Sequence, residues 1–203
     1  LKLWMIIDER SAGFFALGAY TSAILTSAPH PSQLGGFELP FIVGFAAAGL
    51  VSAVAALVIG LPTLRLRDDY LAIASIGIAE TIRYIFINER WLANGTRGIA
   101  GIPHPMRELF GSYYTYAYLA LVIAVIAIVY FLIERAIRSP WGRVLRAIRE
   151  DEHVAVASGK DVPSFKLQAL VFGSIVMGLA GSLYAHFIGF IGTQVFEPML
   201  GTF

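Results

Sequence analysis

Long apolar stretches alternate with short polar ones along this chain, and the stretches have the length of membrane-crossing helices. Residues 11–28, 39–61, 70–88, 113–133 and 167–189 are predominantly apolar, and about 20 such residues carry an α-helix across a ~30 Å hydrocarbon layer. The pattern predicts an all-α, polytopic transmembrane helical bundle of about five spans. Between them lie turn-rich connections. Residues 29–38 contain two prolines and the Gly35-Gly36 pair, 62–69 read PTLRLRDD with Asp69 placed to cap the next helix, and 89–112 include NGTRGIAGIPHP. Small residues recur within the spans. Gly44 and Ala48 form a small-xxx-small pair in the second, and Gly178, Gly181, Ser182 and Ala185, with Ser174 and Gly189, give the last a helix-packing face. No short-period repeat and no linker divides the chain, so residues 1–203 are expected to be one domain.

The one extended charged region is residues 139–166, SPWGRVLRAIREDEHVAVASGKDVPSFK. Ser139-Pro140 is a helix-start signal, with Ser as N-cap and Pro at the first helical position. Trp141, Leu145 and Ile148 then repeat at helical spacing while Arg143, Arg146 and Arg149 point elsewhere. This predicts an amphipathic helix along the membrane surface, its basic side chains near anionic headgroups. Glu150, Asp151 and Glu152 follow as acids at the start of a short second helix, where the dipole favours them. Ala155, Ala157 and Ser158 give that helix a small-residue face, and Gly159 is a natural stop. Such an element is suited to seating in a groove on another protein; the plainer reading is a solvated loop rich in arginine.

Composition agrees with the pattern. The chain is 57% hydrophobic and 14% charged, with mean hydropathy +0.71, against about 45–50% and about 25% in soluble domains. The absence of cysteine excludes disulfides, Fe–S clusters and thiol catalysis. The net charge of +1 says little, but the placement of the charges orients the chain. Lys2, Arg10, Arg65, Arg67, Arg135, Arg138, Arg143, Arg146, Arg149, Lys160 and Lys166 fall on one set of connections, and only Arg90, Arg97 and Arg107 on the other. By the positive-inside rule the first set is cytoplasmic, including the N-terminus and 134–166. Asp8, Glu9 and Arg10 interrupt the first apolar run, so no cleavable signal peptide is expected.

Little here has the character of an enzyme. Glu80 and Arg83 are the obvious charges inside a span, three residues apart on one helical face. An ionisable pair in the membrane marks a functional site by default. A structural salt bridge near the outer helix end is the plainer reading; gating and substrate contact remain as alternatives. The glycines of 94–101 are read as a flexible outer loop, or else as bare amides near a zwitterionic ligand. Ser182 and His186 share a face, but a hydrolase also needs an oxyanion hole and a route for water. His30, His104 and His153 lack metal-ligand spacing. No catalytic, cofactor-binding or metal-binding residue is assigned, and no nucleic-acid partner is expected.

Several runs together resemble a known family. SPWGRVLRAIREDEHVAVASG with KLQAL and GLAGSLYAHF, DDYLAIASIGIAETIR (68–83), NGTRGIAGIP (94–103) and FFALGAYTSAIL (14–25) are similar, in order, to the permease subunits of branched-chain amino acid ABC importers. Lys160 and Arg97 depart from the family's usual residue types. The resemblance implies a multi-pass subunit of the cell inner membrane that pairs with a second permease, two cytoplasmic ABC ATPase subunits and an extracytoplasmic substrate-binding protein. It implies that the loop 139–166 carries the ATPase-coupling helix, at about 150–159: Glu150, Asp151, Glu152, Ala155 and Gly159. The permease itself would bind no nucleotide, and no Gly-rich phosphate loop is present in the sequence. Both ends are expected to be incomplete relative to the family. An ion-coupled secondary transporter, whose signature is paired repeats with broken helices, and a non-transporting truncated membrane subunit are the alternatives.

Overall fold

The computed structural model describes residues 2–29, 36–63, 98–105 and 111–192, with the isolated positions 77, 81, 84, 88 and 107. In chain order these form α1 (Lys2–Thr26), α2 (Phe41–Thr63), β1 (Ile99–Ala100), a 3-10 turn (Gly111–Tyr113), α3 (Tyr114–Arg138), α4 (Pro140–Glu150), α5 (Glu152–Ala157), α6 (Val162–Ile188) and β2 (Phe190–Ile191). Of the helices, α2, α3 and α6 are long and apolar enough to cross a membrane, and α1 carries a shorter apolar segment, Gly13–Thr26. The chain is an all-α helical membrane bundle. The expected span 70–88 lies largely outside the described residues.

Helix ends differ from expectation in an instructive way. α1 passes through Asp8, Glu9 and Arg10 without a break, because charged residues interrupt hydropathy but not helical hydrogen bonding. α3 extends a turn beyond the expected end at Ile133. Glu134 and Arg138 pair one turn apart, and Arg135 and Arg138 lie in the last turn, where the helix dipole favours cations. α6 starts at Val162, so Pro163 is its second residue, where a proline ring costs no intrahelical hydrogen bond.

The chain divides into two compact units. The first, Leu1–Pro105 with Val171–Phe203, is built on α1, α2 and the greater part of α6. Many of the buried positions on its helices are small. On α2 Gly44, Ala48, Ser52, Ala56 and Gly60 repeat every fourth residue and are buried, while Leu50, Val54, Val58 and Leu61 are exposed. On α1 Ala16, Ala19, Tyr20 and Ala23 make the buried stripe. Small and hydroxyl-bearing residues inside with large apolar ones outside is the packing expected where lipid tails cover the surface.

The same unit holds a feature the sequence reading did not anticipate. β1 pairs antiparallel with β2, Ile99 opposite Ile191 and Ala100 opposite Phe190. Ile99, Ile102 and Ile191 are buried in the same core as Ala16, Ala19, Tyr20, Ala23 and Ala185. The 98–101 segment is therefore an apolar ribbon packed on the helices, not a free glycine-rich loop. Gly98 and Gly101 have φ of +70° and +77°, and a Cβ on Gly98 would strike the Ile191 carbonyl. Both glycines serve the turns that seat the ribbon.

The second unit, Met106–Leu170, contains α3, α4, α5 and the first turns of α6. Its core is Ile148, Ala155 and Val162, with Val144, Leu145 and Phe165 packed around them. This corrects the expectation that α4 rests its apolar face on the membrane surface. Leu145 and Ile148 are occupied by protein, because α5 and the start of α6 fold back over them.

Candidate functional site

The charged loop is built from two hydrogen-bonded corners. At the first, Ser139 ends one helix and starts another. Its Oγ donates to the Ala136 carbonyl at 2.6 Å and accepts from the Gly142 amide at 3.4 Å. Pro140 then occupies the first position of α4. Gly142 is buried against the last turn of α3, and a Cβ there would overlap the carbonyl oxygens of Ile137 and Ala136. The Ser-Pro signal is legible in the sequence, whereas the need for Gly142 is not, since it arises from the approach of α4 to α3.

At the second corner Asp151 caps α5, with Oδ1 accepting from the His153 amide at 2.9 Å and the Val154 amide at 3.1 Å. α5 ends in a Schellman turn. The Lys160 amide donates to Ala155 O at 3.2 Å and the Gly159 amide to Val156 O at 2.9 Å, with Gly159 at φ +76°. Glu152 accepts from Lys166 Nζ at 2.7 Å, tying α5 to the first turns of α6. Ala155 lies in the core. Trp141 Nε1 donates to Gln168 Oε1 at 2.8 Å, a second tie from the loop to α6.

The five residues singled out for coupling therefore divide. Asp151, Glu152, Ala155 and Gly159 shape and anchor α5, and Glu150, the last residue of α4, is exposed. What α5 presents outward is different: His153, Val154, Val156, Ala157 and Ser158 are exposed, Val154 by 60% and Val156 by 56%. A groove of about 480 Å³ runs between α4 and α5, lined in part by Val144, Ala147, Val154 and Ala155 and by the charged Arg143, Glu150 and Lys160. The two valines are faint in the sequence. Their signal was a pair of apolar residues inside an otherwise polar loop.

In the first unit the structure brings together all four predicted packing residues. Gly178 meets both other helices. A Cβ on Gly18 of α1 would overlap its backbone, and a Cβ on Gly178 would overlap Ser52 Oγ and come within 2.8 Å of Ala48 O on α2. A Cβ on Gly181 would strike the Phe15 carbonyl. Ser182 and Ala185 are fully buried. Ser182 belongs to a polar seam. Its Oγ donates to Ser22 Oγ at 2.8 Å, and His186 Nδ1 lies 2.9 Å from the Ser182 carbonyl. A carbonyl only accepts, so Nδ1 carries the ring hydrogen. Nε2 lies 3.1 Å from Thr26 Oγ1, whose hydroxyl donates to the Ser22 carbonyl at 2.8 Å. His186 thus meets the carbonyl of Ser182, not its hydroxyl, and the two do not form a nucleophile–base pair.

Glu80 and Arg83 lie outside the described residues, as does His30. His153 is exposed on α5 and His104 is in the ribbon loop. Among the described residues no group of three or more His, Cys, Asp or Glu is placed to hold a metal ion.

Comparison with known proteins covers nearly the whole chain. The model of the family described as "Branched-chain amino acid transport system / permease component" matches residues 11–202. The chain is 35% identical over 209 residues to the "High-affinity branched-chain amino acid transport system permease protein LivM" of Salmonella typhimurium, covering 91% of this chain and 47% of that protein. The Escherichia coli protein of the same description is 34% identical with the same coverage. The "Probable branched-chain amino acid transport permease protein LivM" of Methanocaldococcus jannaschii is 29% identical, covering 98% of this chain and 59% of that protein. The chain thus spans about half the length of the curated relatives it matches. No solved structure matches it.

Proposed function

The chain belongs to the family of branched-chain amino acid transport system permease components, and from that membership we propose that it is a transmembrane permease subunit of an ATP-driven importer. The solutes are branched-chain amino acids or related small amino acids and amides. The partners are cytoplasmic ABC ATPase subunits, a second permease subunit and an extracytoplasmic binding protein. The loop 139–166 faces the cytoplasm of a cell with the protein in its inner membrane, and residues 150–159 transmit the motion of the ATPase to the helices.

The observation that carries this reading is the construction of α5. An isolated six-residue helix is far too short to be stable in water, yet this one is capped by Asp151, closed by Gly159 and tied to α6 through Glu152 and Lys166. Those ties hold it against α6, a helix long and apolar enough to cross a membrane, while Val154 and Val156 remain exposed. In this reading Val154 and Val156 are the side chains that dock on the ATPase. A push on α5 moves α6, because the connection is a short turn and an ion pair.

The test is co-purification with a candidate ABC ATPase subunit. Val154→Glu with Val156→Glu is expected to weaken association at least tenfold while thermal unfolding of the permease in detergent stays unchanged. Undiminished association and ATP-driven uptake in that variant would sink the assignment.

A further inference from the structure

We propose that the ribbon of residues 98–105, with His104 and His186, is a latch that closes the extracytoplasmic ends of α1, α2 and α6 and parts from them during transport. The inference rests on the transport reading and orientation given above, and adds a moving part on the face opposite the ATPase.

Three helix ends meet at one histidine. α1 ends at Thr26, whose hydroxyl meets His186 Nε2 at 3.1 Å. α2 begins at Phe41, whose ring lies edge-on to the imidazole with centroids 4.8 Å apart. α6 ends two residues beyond His186. The histidine's own carbonyl accepts from His104 Nδ1 at 2.8 Å, so the residue whose ring meets the helix ends also holds the ribbon loop through its backbone. The Ile102 amide donates to Gly189 O at 3.2 Å, and the β1–β2 pairing follows directly. Gly189, at φ +72°, leaves the room the His104 ring occupies, since a Cβ there would lie 2.9 Å from it.

Two features suit this assembly to opening. The ladder is two residues long on each side, and short two-stranded ribbons are marginal by themselves. The helices touch through bare backbone at Gly18 and Gly178, eight residues from His186, or roughly 12 Å along α6 at 1.5 Å per residue. Any tilt about that crossing is largest at the helix ends, where the latch sits. Ile99 and Ile102 are buried in one cluster with Ala23 of α1 and Ala185 of α6, so separation of α1 from α6 unseats the ribbon.

The chain has no cysteine, which makes the test direct. Ala100 and Phe190 are directly opposed, and opposed antiparallel residues lie about 4.5–5.5 Å apart between Cα atoms, within disulfide reach. Ala100→Cys with Phe190→Cys is built into the assembled transporter in proteoliposomes. Oxidation with copper phenanthroline is expected to lower ATP-driven uptake at least tenfold, and dithiothreitol to restore it, with each single variant insensitive to the oxidant. Trapping the ATPase with ATP and vanadate is expected to slow disulfide formation at least fivefold. Full uptake by the cross-linked transporter, with equal cross-linking rates in both states, would make the ribbon a static cap and overturn the latch. If the assembly without the two substitutions shows no ATP-driven uptake, the transport reading fails and takes the latch with it; uptake present but untouched by the cross-link removes the latch alone.

Discussion

Gly178 shows most sharply what single residues do in this chain. It sits where α1, α2 and α6 touch, with Ser52 Oγ and the Ala48 carbonyl where its side chain would be. Gly173, one and a half turns earlier on the same helix, has open space around it. Overpacking a close-packed site costs typically about 1–3 kcal/mol, and more where backbone must move. Gly178→Leu is therefore expected to lower the thermal midpoint in detergent by several degrees, and Gly173→Leu to leave it nearly unchanged. Equal effects at the two positions would show that the crossing is not close-packed. The small residues were legible in the sequence because their four-residue spacing marks one helical face. Their partners were not, because Gly18 and Gly178 are 160 residues apart and nothing local links them.

At the scale of elements, the charged loop was legible where its signals are local. Ser139-Pro140, Asp151 and Gly159 act within three or four residues of themselves, and the structure places each at a helix end. Asp151→Ala is expected to cost about 1 kcal/mol through loss of the cap, and Asp151→Asn to recover most of it. Gly159→Ala forces a Cβ into the left-handed region at a cost of about 1–2 kcal/mol. Protection of the α5 amides in hydrogen exchange measures both; unchanged protection in Asp151→Ala would mean that the cap does not hold the helix. Two elements were not legible. α4 has the periodicity of a membrane-surface helix, and hydropathy does not say whether lipid or Val162 and Phe165 covers the apolar face. The ribbon was read as a loop because two-residue strands carry no alternation to detect and pair with residues some 90 positions away.

Over the whole molecule, the apolar runs gave the class of protein, and the inverted packing, small residues inside and large ones outside, follows from lipid as solvent. α6 is held near its start by α5 through Glu152–Lys166 and near its end by His186 and the ribbon, with Gly178 at the crossing between. The most direct measurement is uptake of radiolabelled leucine by proteoliposomes holding this subunit with its second permease, ATPase and binding protein. The account predicts uptake that requires ATP and every partner and falls at least tenfold with Val154→Glu and Val156→Glu. Uptake driven by an ion gradient without the ATPase, or ATP-driven uptake unaffected by those substitutions, would contradict it.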